Sequence, residues 1–133
     1  MIAKAPIDLK TYFFPYVQVA ADPECNPDAD EIHPDIQVKQ TVDPDEDNGL
    51  YQVTLAITVS PGGEEEKVPY SIDLVAVGLF SVDKGIDDPV RMLKMNGSSM
   101  LYSAAREFII TITARGPWPQ FSLPTASFFY PND

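Results

Sequence analysis

From Leu50 to Pro61 the chain alternates without a break, with Tyr51, Val53, Leu55, Ile57 and Val59 on one side and Gln52, Thr54, Ala56, Thr58 and Ser60 on the other. Period-two patterning of this length specifies a half-buried β-strand and fixes which face meets the core, because a one-residue slip would invert every side chain. Just upstream, Ile36, Val38 and Val42 alternate with Gln37, Lys39 and Thr41, and the turn-rich segment from Asp43 to Gly49 joins the two runs. Together they predict a β-hairpin.

A second turn, Pro61-Gly62-Gly63, leads into a third run in which Val68, Tyr70, Ile72, Leu74, Ala76 and Phe80 share one face. Its other face changes from Pro69, Ser71 and Asp73 to Val75, Val77 and Leu79. The far end of this strand is therefore expected to be covered on both sides. Near the start, Tyr12, Phe13, Phe14, Tyr16, Val17 and Val19 load both faces of a further strand, which Pro15 interrupts. Proline cannot donate to a ladder, so this strand belongs at a sheet edge or carries a bulge. An aromatic edge left bare invites pairing with another chain, which predicts at least a homodimer.

Residues 99–115 hold the β-branched run Ile109, Ile110, Thr111, Ile112, Thr113, which locally favours strand. The stripe of Leu101, Ala105, Phe108, Ile109 and Ile112 follows a 3.6-residue period instead and predicts a helix. Ser98 or Ser99 would cap its start and Gly116-Pro117 its end. The segment of Trp118, Pro119, Phe121, Leu123 and Pro124 that follows is apolar but neither helical nor alternating. Four strands and one long helix, with no parallel crossover, predict a single α+β domain over residues 1–133, an antiparallel sheet with the helix on one face.

Charge narrows the partners. The formal net charge is -11, and the stretch from Asp22 to Asp47 holds ten of the twenty acids with Lys39 as its only Lys or Arg. Such a field repels nucleic-acid phosphates and anionic lipid heads and leaves a solvated loop face as the simplest role for the acids. The single cysteine, Cys25, has no internal disulfide partner, and the first eight residues lack the apolar run of a signal peptide. No window approaches the roughly 18 uncharged apolar residues of a membrane span. A cytoplasmic protein is expected.

The residues for catalysis are scarce. Cys25 and His33 share an acidic loop with Glu24, Asp28, Asp30, Glu31 and Asp35, but no paired Cys/His spacing of a zinc site is present. Asp43, Asp45 and Asp47 resemble the opening of a calcium loop, yet Asn48 stands at its glycine position and Thr54 at its glutamate. Gly62-Gly63 precedes glutamates and lacks the lysine and helix of a phosphate loop. With one histidine and one cysteine, and no pair of carboxylates singled out, neither an enzyme nor a cofactor site is expected.

Three segments in order resemble the SecB family of protein-export chaperones. These are Leu50 to Pro61, then Gly78-Leu79-Phe80-Ser81-Val82, then the helix with its exit: Tyr102, Ala105-Arg106-Glu107, Arg115-Gly116 and Pro119-Gln120-Phe121-Ser122-Leu123-Pro124. The likeness covers most of residues 7–128 and is weakest from Asp22 to Asp35. It implies a Greek-key sheet, assembly into a dimer or a dimer of dimers, and grooves that hold extended, unfolded polypeptide. On that basis Tyr12, Phe13, Phe14, Tyr16, Trp118, Phe121 and Leu123 are the expected client contacts, with ordinary core or subunit packing as the alternative for each.

Acidic residues on the family's first strand help bind the translocase motor SecA, and the matching positions here are Tyr16 and Ala20. Asp73 aligns with a further acidic contact to that motor. SecB proteins continue past the position of Tyr130 into a second amphipathic helix beside the groove, and this sequence ends at Asp133. The resemblance thus implies an ATP-independent holding chaperone, serving export or a dedicated partner such as an antitoxin. An adaptor binding one specific partner is the competing expectation.

Overall fold

The computed structural model describes residues 2–3, 5–25, 33–45, 49–63 and 66–128. Strand β1 spans Ile7–Ala21, β2 Pro34–Asp45, β3 Leu50–Pro61 and β4 Tyr70–Val82. All pairings are antiparallel and the spatial order is β1-β4-β3-β2. Strands β2, β3 and β4 therefore form consecutive hairpins while β1 returns beside β4, which is a Greek key. The α+β class and the topology agree with expectation.

The hairpin of β2 and β3 runs in unbroken register from Pro34↔Pro61 to Asp45↔Leu50. Val53, Leu55, Ile57 and Val59 of β3 and Tyr70, Ile72, Leu74, Ala76 and Phe80 of β4 are buried on the helix side. On the other face Thr54, Ala56 and Thr58 lie beside Val77, Val75 and Asp73. Val77 is buried there and Val75 and Leu79 half-buried, so cover at that end comes from flanking side chains, with Phe13 of β1 in register with Val77.

Strand β1 departs from regularity twice, with register shifts between Leu9 and Thr11 and between Phe13 and Tyr16. The second shift spans Pro15, whose missing N–H removes a rung of the ladder. Each inserted residue swaps the faces of all that follow. Phe13 and Tyr16, paired with Val77 and Val75, share the outer face, while Tyr12 and Val17, paired with Gly78 and Leu74, share the helix face.

The helix begins earlier than its spacing predicts. It starts as α1, Pro89–Met92, passes through a π-helical segment, Leu93–Gly97, and continues as α2, Ser98–Thr113. Asp88 is the N-cap, its Oδ1 accepting the Arg91 N–H at 3.1 Å, and Pro89 occupies the first turn. Neither Ser98 nor Ser99 caps anything: Ser98 is buried and donates to Gln40 Oε1 of β2, and Ser99 donates to the Met95 carbonyl. The π segment carries the chain through Asn96-Gly97, where helix propensity is poor. A Cβ on Gly97 would lie 3.4 Å from both Phe80 and Val53, so the missing side chain lets this segment press on the sheet. Leu93, Leu101, Ala105 and Ile109 then complete the core.

Candidate binding surface

Two elements meet at one end of the sheet: the exit of β1 and the segment after α2. Hydrogen bonds pin the segment along its length. Tyr102 Oη donates to the Pro124 carbonyl, Arg106 Nε donates to the Leu123 carbonyl at 2.8 Å, and the Phe121 N–H donates to Thr113 Oγ1 at 2.8 Å. The Trp118 N–H donates to Tyr70 Oη at 3.1 Å, and the Trp118 indole N–H donates to the Asp22 carbonyl at 2.9 Å. Tyr70 Oη also faces the carbonyls of Thr113 and Trp118 at 3.1 and 3.0 Å. A strand end, a helix end and a proline-rich loop thus share one buried hydroxyl, leaving no buried side-chain polar atom unsatisfied among the described residues.

This network sorts the expected contact residues. Leu123 has no exposed surface in this conformation and belongs to the core, so it presents nothing for a client to touch. Trp118 and Phe121 are half-buried and pack against that core, each keeping part of its ring at the surface. Phe14 is half-buried and stacks on Phe108 of α2, ring centroids 4.7 Å apart and planes 18° from parallel. Tyr12, Phe13 and Tyr16 stand 47%, 48% and 47% exposed on a strand with no neighbour on its outer side among the described residues. Tyr12 closes edge-on over Phe14 at 6.0 Å, and Tyr16 Oη donates to Gln18 Oε1 at 2.9 Å.

Asp73 is exposed on the outer face, in register with Gln18 of β1 and Thr58 of β3. It borders a shallow depression of about 140 Å³ with Gln18, Ala20 and Ser71. Tyr16 and Ala20 lie on that same face, so the three positions named from the family resemblance share one side of the sheet.

The acidic loop shows no cation site among its described residues. Cys25 is buried, and burial, followed by the nearby Asp22 carboxylate, pushes its thiol pKa up, away from a ready thiolate. Glu24 pairs with Lys67 at 2.8 Å and raises the lysine's pKa. His33 is exposed, and no three His, Cys, Asp or Glu side chains converge among the described residues. Asp28, Asp30, Glu31 and Asp47 lie outside them. No helix among the described residues is long and apolar enough to cross a membrane.

Sequence reasoning missed the depth of two anchors. Tyr70 read only as a core residue of β4, and Asp22 only as one acid among many. The spacing between Tyr70 and Trp118 carries no local signal, because 48 residues separate them.

The described geometry has clear parallels. A Mycobacterium tuberculosis SecB-like chaperone, solved in complex with a ChAD peptide from the HigA1 antitoxin, superposes with a TM-score of 0.73 at 17% identity, over 92% of this chain and 91% of that one. A Streptococcus agalactiae protein of unknown function superposes with a TM-score of 0.53 at 12% identity, over 92% of this chain and all of that one. No curated protein matches by sequence. The family model for preprotein translocase subunit SecB matches residues 17–130, which is most of the sequence, and the chain belongs to the SecB family.

Proposed function

We propose that this chain is an ATP-independent holding chaperone that keeps non-native polypeptide extended and soluble. The observation that carries the reading is the set of half-exposed aromatics on an edge strand, Tyr12 on the helix face and Phe13 and Tyr16 on the outer face, whose far end is tied through Asp22 to the loop that bears Trp118 and Phe121. A site that reads no fixed sequence needs apolar surface tolerant of many side chains and backbone groups free to pair, and an aromatic sheet edge offers both. Family membership and the fold shared with a chaperone that holds an antitoxin peptide support the same use. The role is binding and the protein works in the cytoplasm.

A dedicated partner such as an antitoxin fits this chain better than the export motor SecA. Tyr16 and Ala20 stand where exporters carry motor-binding acids, which leaves Asp73 as the one acid of that set on the face. The chain also forms at least a homodimer, because covering part of this apolar surface favours association while the remainder stays open to clients. Light scattering at micromolar concentration checks this, and a monomeric mass contradicts it. A slowly folding client mixed with equimolar protein should refold late and aggregate less. Unchanged refolding and aggregation would remove the reading, and capture of one folded partner with no unfolded clients would favour an adaptor.

A further inference from the structure

Met92, Met95 and Met100, the three methionines beyond Met1, gather at one corner of the molecule. One hollow of about 400 Å³ lies between the entry of β1 and the helix, lined by Pro6, Ile7, Met92, Asn96, Ser99 and Met100. A second of about 400 Å³ lies beside the turn into α1, where Ile86, Asp87, Asp88, Arg91 and Met95 join Met92 and Asn96. Because Met92 and Asn96 line both, the hollows meet across the π segment as one groove.

The lining and the polar groups suit different parts of a ligand. Met92 packs against the core, Met95 is half-buried and Met100 is 40% exposed, so flexible thioethers supply an adaptable apolar wall. Thioether sulfur makes favourable contacts with aromatic rings, which singles out an aromatic side chain. The half-buried Asn96 amide makes no side-chain hydrogen bond among the described residues, leaving a donor and an acceptor for a passing main chain. At the far end two carboxylates, Asp87 and Asp88, stand with one guanidinium, Arg91. Asp88 caps α1, whereas Asp87 is exposed and has no ion pair among the described residues. A groove apolar along its length and acidic on balance at one end, on a chain of net charge -11, complements a segment both aromatic and basic.

We infer that this groove docks one segment of a partner polypeptide, an aromatic side chain entering between Met92 and Met100 and a lysine or arginine reaching Asp87. The path from Asn96 back to Asp87, roughly 13 Å at 1.5 Å per residue, is about four residues of extended chain, which sets the spacing of ring and cation. A buried ring supplies the anchor and the charge at the rim supplies orientation. The inference goes beyond the holding function, since the groove reads one ring and one charge where a holding surface accepts many side chains.

The test uses the full chain carrying ¹³C-labelled methionine methyl groups and an eight-residue Ser/Gly peptide with Phe at its second position and Lys at its sixth. On titration the methyl signals of Met92, Met95 and Met100 should move, and Ala in place of the peptide's Phe should weaken binding by about tenfold. Glu in place of its Lys should weaken binding several-fold in the wild type and strengthen it in Asp87→Lys, whose fold circular dichroism checks. Methyl signals that stay still overturn the groove, as does a charge preference that Asp87→Lys leaves unreversed. A fall in subunit mass on adding the peptide would assign the groove to a second copy and also overturns it. Client aggregation is followed in parallel. Holding with silent methionines removes the groove and leaves the chaperone reading, whereas shifted methionines without holding keep the groove and remove that reading.

Discussion

The Trp118 indole N–H donates to the Asp22 carbonyl at 2.9 Å, joining the segment after α2 to the exit of β1 across 96 residues of sequence. The bond closes one end of the aromatic surface. Trp118→Phe keeps an aromatic ring and removes the donor, so it should cost about 1 kcal/mol of stability. Hydrogen exchange should then quicken in residues 117–123 while β3 stays protected. Unchanged exchange in that segment would show that the bond does not hold it.

Tyr70 organises the same junction from the sheet side. Tyr70→Phe leaves the Trp118 N–H without its acceptor, while the Thr113 carbonyl keeps the Gly116 N–H, and should cost roughly 1 to 3 kcal/mol, read as a lower denaturant midpoint at constant slope. Gly116→Ala should damage the same place, because a Cβ there would collide with the Tyr70 hydroxyl and ring. If the two losses share one cause, combining the substitutions should cost less than their sum.

The neighbours Phe13 and Phe14 should separate stability from binding. Phe14→Ala removes a stacked, half-buried ring and should lower stability by about 2 kcal/mol. Phe13→Ser removes a half-exposed ring that flanks Val77 and should lower the melting temperature less than Phe14→Ala while weakening client holding several-fold. Equal effects of both on melting would contradict the division of faces produced by the bulge.

Alkaline pH should loosen the loop through Tyr102. Burial raises its pKa from the ordinary value of 10.0, partly offset by Arg106, and its neutral hydroxyl donates to the Pro124 carbonyl. A raised folded-state value means that the contribution is intact below the unfolded value and is lost as pH rises from there through the folded one. As pH rises above about 10 the melting temperature of the wild type should fall more steeply than that of Tyr102→Phe. Parallel slopes would assign the alkaline loss to other groups.

Strands β2, β3 and β4 were legible because each buries one face, so hydrophobic alternation follows the pleat directly. The helix was legible from Leu101 onward and hidden before it. Asn96-Gly97-Ser98-Ser99 reads as a helix start, whereas the π segment carries the helix through it and Asp88-Pro89 supplies the true cap. The aromatic edge was legible in content and opaque in arrangement. Simple alternation sets Tyr12, Phe14 and Tyr16 on one face, but the register shift at Pro15 moves Tyr16 across to Phe13. The burial of Leu123 depends on Thr113, Arg106 and the whole path of the loop, none of which leaves a periodic trace.

The central claim concerns the exposed aromatics. Aggregation of a chemically denatured, slowly folding client after dilution, followed by light scattering, tests it directly when wild type is compared with the triple variant Tyr12→Ser, Phe13→Ser, Tyr16→Ser. Equimolar wild type should suppress the scattering, and the variant should lose most of that effect with its circular dichroism unchanged. No suppression by wild type, or full suppression by the folded variant, would contradict the account.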